Sequence, residues 1–201
     1  SGGLTATAAS AVTSSGTVTM GAVSSIGDAD TSITLSGNTT LTNSGAGLVS
    51  ISGAISATNK NLIVNGSGNT TISTSISTGT GSVANSGSGV LTLASSDSSY
   101  SGGTTVGAAG TIKINAGSTA PVIGGVVGTG SVTVSAGGVF DLNGQTLSNT
   151  FYVNGTGISS AGAVTNSSAT AASYAGAITL ATASSVGSAA GAIILSGLIS
   201  G

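Results

Sequence analysis

The chain has almost no chemically reactive side chains. Its 201 residues include no histidine, cysteine, glutamate, arginine or tryptophan. Without His or Cys, the Ser-His and Cys-His nucleophilic mechanisms are impossible, and isolated carboxylates give no support for paired acid–base catalysis. We therefore expect no enzyme, and no catalytic, cofactor or metal site. The six side chains charged at neutral pH are Asp28, Asp30, Lys60, Asp97, Lys113 and Asp141.

The scarcity of charge also restricts the class of protein. Charged residues make up 3% of the chain, against about 25% in an average soluble domain. Disordered chains combine low hydropathy with high net charge, whereas here the mean hydropathy is +0.52 and the net charge −2. Two lysines give no electrostatic footprint for nucleic acid. No apolar run approaches the roughly 20 residues of a membrane-spanning helix, so we expect no membrane span.

What the chain does contain is short apolar pairs in strict alternation. Examples are Ile33 with Leu35, Leu91 with Leu93, and Ile112 with Ile114. Alternation with a period of two predicts strands with one buried face. Turn sequences such as Gly-Gly at 137–138 and Asn-Gly at 143–144 separate the pairs. The pattern predicts an all-β fold with essentially no helix.

The spacing of these pairs indicates how the strands are arranged. The apolar pair at 91–93 recurs at 112–114 and again at 132–134. A period near 20 in strand-rich sequence is typical of a solenoid. About ten coils at about 4.8 Å each would give a rod on the order of 50 Å long. An antiparallel sandwich is the alternative, but two Phe and three Tyr are few for its core.

One stretch, residues 86–115, resembles a known repeat. It reads Gly-x-Gly-x-Leu-x-Leu at 87–93, Tyr-x-Gly-x-Thr-x-Val at 100–106 and Gly-x-Ile-x-Ile at 110–114. This pattern resembles the autotransporter-associated β-strand repeat of bacterial passenger domains and giant surface proteins. Ser98 stands where that family usually has Asn, a change expected to alter one corner only.

The resemblance implies a right-handed parallel β-helix outside a bacterial cell, at its surface or beyond. Weaker echoes of the repeat cover most of the chain, and its Gly residues are expected to turn the backbone. We expect residues 1–201 to form a single β-solenoid segment. The last residues, LSGLISG, followed by the first, SGGLT, read like a continuous internal repeat. The chain is therefore expected to be one period of a tandem array or a subunit that stacks end to end with itself.

These features predict a structural protein of an extracellular bacterial filament, sheath or giant surface fibre, whose partner is itself. A passenger-type adhesin that binds cell surfaces or glycans is the alternative, with Phe151-Tyr152 and Tyr174 as candidate contact residues. An ice-binding solenoid is a minor alternative. It depends on Thr-x-Thr pairs at 5–7, 17–19, 40–42 and 78–80, whose gaps are irregular.

Two small motifs complete the candidates. Asp28-Ala-Asp30 could offer two oxygen ligands to Ca²⁺, but the Gly- and Asp-rich nonapeptide calcium repeat is absent, so a solvated loop is the preferred interpretation. Asn-x-Ser/Thr sequons are expected by chance in such a composition. They begin at Asn38, Asn69, Asn154 and Asn166.

Overall fold

The computed structural model describes residues 11–20, 24–26, 32–117 and 125–201. It is all-β in this part of the chain, apart from one three-residue 3₁₀ turn at Ile158–Ser160. The first ten strands are β1 (Ala11–Met20), β2 (Ser24–Ile26), β3 (Ser32–Asn43), β4 (Val49–Ile51), β5 (Ala54–Ala57), β6 (Leu62–Asn65), β7 (Thr70–Ile72), β8 (Ile76–Ser77), β9 (Val83–Asn85) and β10 (Val90–Leu93). The others are β11 (Thr104–Val106), β12 (Thr111–Ile114), β13 (Val132–Val134), β14 (Val139–Asp141), β15 (Thr146–Leu147), β16 (Phe151–Val153), β17 (Val164–Thr165), β18 (Ala172–Tyr174), β19 (Ile178–Leu180), β20 (Ile193–Leu195) and β21 (Ile199–Ser200).

The strands form three columns that run along one axis. Face one contains β1, the second half of β3, then β6, β9, β11, β13, β16, β19 and β21. Face two contains β2, β4, β7, β10, β12, β14 and β17. Face three contains the first halves of β1 and β3, then β5 and β8, and further along the chain β15, β18 and β20. Every pairing between named strands is parallel, so the fold is a β-solenoid and the sandwich alternative was wrong.

The register shows how far the chain advances in each turn. On face two, Leu91 pairs with Thr70 on one side and with Ile112 on the other, so these two turns are equal in length. Ile112 then pairs with Phe140, so the turn between them contains more residues than the two turns before it. Because such lengthened turns use more chain per coil, the solenoid has about eight turns where the sequence predicted about ten.

The interior is a stack of aliphatic side chains. Strands show the alternation that the sequence predicted, for example intermediate–buried–intermediate–buried in β10 and in β12. Inward residues of successive turns lie on one another, as Ile72, Leu93 and Ile114 do on face two, and all three are at most 2% exposed. Among the aromatic rings of the core, Tyr100 is fully buried, and further along the chain Phe140, Phe151 and Tyr174 pack together.

Glycines in the repeat-like stretch are required by close contact between turns. A Cβ atom on Gly87 would lie 2.1 Å from the carbonyl oxygen of Gly66, and one on Gly89 would lie 2.1 Å from that of Gly68. Neither Gly87 nor Gly89 has a positive φ. Both glycines lie in the bend between β9 and β10, where the chain turns as expected, and their lack of a Cβ also lets the corners of adjacent turns touch.

Ser98 lies at a buried corner of the solenoid. Ser98 is 2% exposed, and its hydroxyl accepts a hydrogen bond from the backbone N–H of Ile76 at 3.2 Å. Its backbone carbonyl accepts a bond from Gly125 N–H at 2.7 Å. In the described ranges, face three has no named strand between β8 and β15.

Candidate functional site

The charged side chains do not converge on one site. Asp97 is exposed in a loop, where it accepts a hydrogen bond from Ser96. Lys60 is half-buried at the edge of a groove. Asp28 and Asp30, the carboxylate pair considered for calcium, lie outside the described residues. Lys113 and Asp141 come together on face two, and they form the one ion pair found in the described part of the chain.

Asp141 is the centre of a polar cluster that crosses three successive turns. It is 5% exposed, and its Oδ1 accepts bonds from the backbone N–H groups of Asn143 at 2.9 Å and Ser167 at 3.0 Å. Its Oδ2 accepts the Ser167 hydroxyl at 2.5 Å and lies 3.8 Å from Lys113 Nζ. Lys113 Nζ also donates to Ser167 Oγ at 3.2 Å. The cluster therefore fastens β12, β14 and the segment after β17 to one another.

The chemistry open to this cluster is limited. A serine beside a lysine can act as a nucleophile when the amine is neutral, which requires an enclosing apolar shell or a neighbouring cation. The Lys113 side chain is 34% exposed and faces a carboxylate, so neither condition holds. Within the described ranges, no group of three His, Cys, Asp or Glu residues could hold a metal ion. The cluster is a brace between turns.

Three buried asparagines occupy corners of the solenoid in the same way. Asn43, Asn85 and Asn166 are each at most 2% exposed. Each donates from Nδ2 to the carbonyl four residues later and to a carbonyl of the next turn, at distances between 2.8 and 3.1 Å. Each Oδ1 accepts the backbone N–H two residues later, between 3.1 and 3.3 Å. One side chain thus satisfies backbone groups that the corner leaves without strand partners.

Sequence reasoning missed these asparagines, although a signal was present. The triplet Asn-Ser-Gly occurs at 43–45 and again at 85–87, two turns further along the solenoid. Asn166 was noted only as the start of a sequon, and its burial leaves no room for a glycan. Among the other sequons, Asn38 and Asn69 are exposed and Asn154 is half-buried.

Two tyrosines are core residues with satisfied hydroxyl groups. Tyr100 is fully buried; its hydroxyl lies 2.6 Å from Thr104 Oγ1, which donates to the carbonyl of Val127 at 3.1 Å. Tyr174 donates to the carbonyl of Asn149. Burial raises the pKa of both phenols above the usual value of 10.0, because the phenolate would lose its hydration.

The candidate contact residues of an adhesin differ in their exposure to solvent. Phe151 and Tyr174 are 0% and 1% exposed, in contact with each other in the core. Their assignment to a contact patch was therefore wrong. Tyr152 is 43% exposed and points outward from face one between Thr133 and Thr179.

The Thr-x-Thr pairs stack over two turns only. Thr17 pairs with Thr40 and Thr19 with Thr42, but the following turn has Ile63 opposite Thr40 and Asn65 opposite Thr42. In the pair at 78–80, Thr78 is buried. The pair at 5–7 lies outside the described residues. The flat threonine array that ice binding requires is therefore not formed by 17–19, 40–42 and 78–80.

One surface groove of about 400 Å³ lies beside the first turns of face three. Hydroxyl side chains and Lys60 line it, with Leu35 and Ala57 as its apolar part. A hydroxyl-rich groove with one ammonium is suited to a saccharide or a small anion.

Three comparisons with known proteins gave no significant match: none was found to a family model, to a curated protein or to a solved structure. The resemblance of residues 86–115 to the autotransporter-associated repeat thus gains no support from them. Among the described residues, the structure contains no helix of the length and hydropathy needed to span a bilayer.

Proposed function

We propose that this chain is a structural protein of an extracellular bacterial filament, sheath or giant surface fibre, built by end-to-end continuation of the β-solenoid. The observation that carries the proposal is the parallel stacking, in which every pairing between named strands joins one turn to the next along the same axis. Because each turn of such a stack contacts only its neighbours, further turns of the same kind can lengthen it.

The mechanism of such a protein is mechanical. Parallel ladders of backbone hydrogen bonds run along the axis, and each turn rests on the next through inward aliphatic stacks. The outer columns are mostly Ser, Thr and Ala, so the surface has few groups that respond to pH or salt. The proposal includes a location outside a bacterial cell and no enzymatic activity, since the brace at Asp141 offers no group able to act on a substrate.

Electron microscopy tests the proposal directly. The 201-residue chain is expected to form unbranched fibres of uniform width as its concentration rises, and EDTA is expected to leave them intact. Sedimentation as a monomer at millimolar concentration, with no fibres on the grid, would contradict the proposal.

A passenger-type adhesin is the second candidate, favoured by the groove beside Lys60 and by exposed Tyr152. Aromatic rings and hydroxyl-lined grooves are common features of saccharide sites. Binding of the chain to immobilised glycans, reduced by Lys60→Ala or Tyr152→Ala and unchanged by Asp97→Ala, would support this alternative. The absence of binding to an array of neutral and acidic glycans would count against it.

A further inference from the structure

Three asparagine–glycine dipeptides occur in the chain, at 65–66, 143–144 and 154–155. In such a dipeptide the backbone nitrogen of the glycine can attack the side-chain carbonyl carbon of the asparagine, because glycine has no Cβ to hinder the approach. Each of the three asparagines follows an aliphatic residue, Val or Leu. The dipeptides are therefore chemically alike in the unfolded chain, and a difference in their reactivity must come from the fold.

The fold restrains both reacting groups of the dipeptide at 143–144. Asn143 donates from Nδ2 to the carbonyl of Ile114 and to Oδ1 of Asn115, both at 3.1 Å. The N–H of Gly144 donates to Oδ1 of Asn166 at 2.8 Å. Attack at this site requires these hydrogen bonds to break, which slows the reaction.

The dipeptide at 154–155 is restrained in the same way by fewer bonds. Asn154 donates from Nδ2 to the carbonyl of Val134 at 3.1 Å. The N–H of Gly155 donates to Oγ1 of Thr182 at 2.9 Å. Since Thr182 is exposed, its side chain can be changed with little effect on the core.

The dipeptide at 65–66 has neither restraint. Asn65 is the last residue of β6, and its side chain is exposed. Gly66, with a φ of +99°, begins the corner that follows. Neither the Asn65 amide nor the Gly66 N–H forms a hydrogen bond with a residue that the structure describes. Both reacting groups are therefore free to approach each other.

We propose that Asn65 is a site of spontaneous deamidation, which the fold directs to this one of the three dipeptides. A bond forms between the Gly66 nitrogen and Asn65 Cγ, the Cγ–Nδ2 bond breaks, and ammonia leaves with the proton of the Gly66 N–H. Water then opens the five-membered imide at one of its two carbonyl carbons, which gives aspartate or isoaspartate. No group is oxidised or reduced.

The modification changes both the charge and the backbone of this corner. Each conversion adds one carboxylate to a chain whose formal net charge is −2. Isoaspartate also adds one methylene group to the backbone beside Gly66, where even a Cβ would lie 2.0 Å from the carbonyl oxygen of Asn43. Because this corner has no room for the extra length, the isoaspartyl chain is expected to unfold at a lower urea concentration. The modification does not depend on the proposed function.

Peptide mapping of the incubated chain tests the proposal. The folded chain is kept at mildly alkaline pH, then unfolded and digested with trypsin, which cleaves after Lys60 and Lys113 and so separates Asn65 from the other two sites. Mass spectrometry gives the fraction of each amide that has become an acid. Conversion at Asn65 is expected to be at least about tenfold faster than at Asn143 or Asn154, since those sites must first break two or more hydrogen bonds.

Three controls separate restraint by the fold from intrinsic chemistry. In guanidinium chloride, which unfolds the chain, the three sites are expected to react at comparable rates. Thr182→Val removes the acceptor of the Gly155 N–H and is expected to raise the rate at Asn154 while leaving that at Asn65 unchanged. Asn65→Gln is expected to abolish the fast conversion, because the longer side chain must close a six-membered ring. Equal rates at the three sites of the folded chain, or no conversion at Asn65, would overturn the proposal.

Discussion

Removing the amide of Asn85 is expected to destabilise the solenoid far more than its size suggests. Its Nδ2 donates to the carbonyls of Gly89 and Thr111, both at 2.8 Å, and its Oδ1 accepts Gly87 N–H at 3.3 Å. Asn85→Ala leaves these three backbone groups without that partner. At about 1 kcal/mol for each lost hydrogen bond, the expected cost is about 3 kcal/mol in the free energy of unfolding.

The assay is urea unfolding followed by circular dichroism, with linear extrapolation to water. Asn65→Ala is the matched control: Asn65 lies in β6, one turn away, but is exposed, so its loss should change the free energy by less than about 0.5 kcal/mol. A cost below about 1 kcal/mol for Asn85→Ala, or equal costs for the two variants, would refute the role assigned to the buried amide.

Asn85→Asp sharpens the same test with pH. A carboxylate at this position would face two carbonyl oxygens, so the pKa of the new carboxyl is raised in the folded state above its unfolded value of about 3.9. The folded state then binds the proton more tightly than the unfolded state. The variant is expected to be least stable at neutral pH and to recover relative to the wild type as the pH falls through the folded pKa. A deficit that is constant with pH would contradict this geometry.

Three further predictions concern other buried groups. Thr70→Val should stabilise the chain by about 1 kcal/mol in urea, since the buried Thr70 hydroxyl has no hydrogen-bond partner. Asp141→Ala should cost about 2–4 kcal/mol by the same assay because it strips three hydrogen bonds, whereas Lys113→Met should cost at most about 1 kcal/mol. The pKa of Tyr100 and Tyr174 is raised in the folded state, so these phenols ionise first in the unfolded chain. The free energy of unfolding is therefore unaffected by them below about pH 10 and decreases above it. Phenolate absorbance that rises for all three tyrosines before β structure is lost would contradict this last point.

The fold was predictable because two periods coincide in the sequence. Alternation with a period of two identified strands, and the recurrence of apolar pairs about every 20 residues indicated parallel stacking. The step from 112–114 to 132–134 was wrong, because 132–134 stacks on 104–106 of face one. In 86–115 the prediction is nearly complete: Leu91, Leu93, Ile112 and Ile114 are all buried. The number of turns was overestimated because a uniform period ignores lengthened turns such as that between β12 and β14.

The brace at Asp141 could not be predicted, and the reason is the same lengthened turn. A turn as long as the one before it would place Val134 beside Lys113, and no charge would be paired. In the structure the lengthened turn places Asp141 beside Lys113 instead. Contacts between turns depend on the length of each individual turn, and sequence composition does not reveal where a turn gains residues.

Because the middle turns have the same length, whole turns could be removed from the rod or added to it. The steps from Leu62 to Val83 to Thr104 on face one, and from Thr70 to Leu91 to Ile112 on face two, are all equal. Deleting or duplicating one such block would return every remaining side chain to the column it already occupies. Gene duplication or recombination in multiples of this block could therefore lengthen or shorten the rod without any new packing solution, while a change of any other size must be absorbed by a corner loop. The length of the rod would then change by mutation while the fold of each turn stays the same.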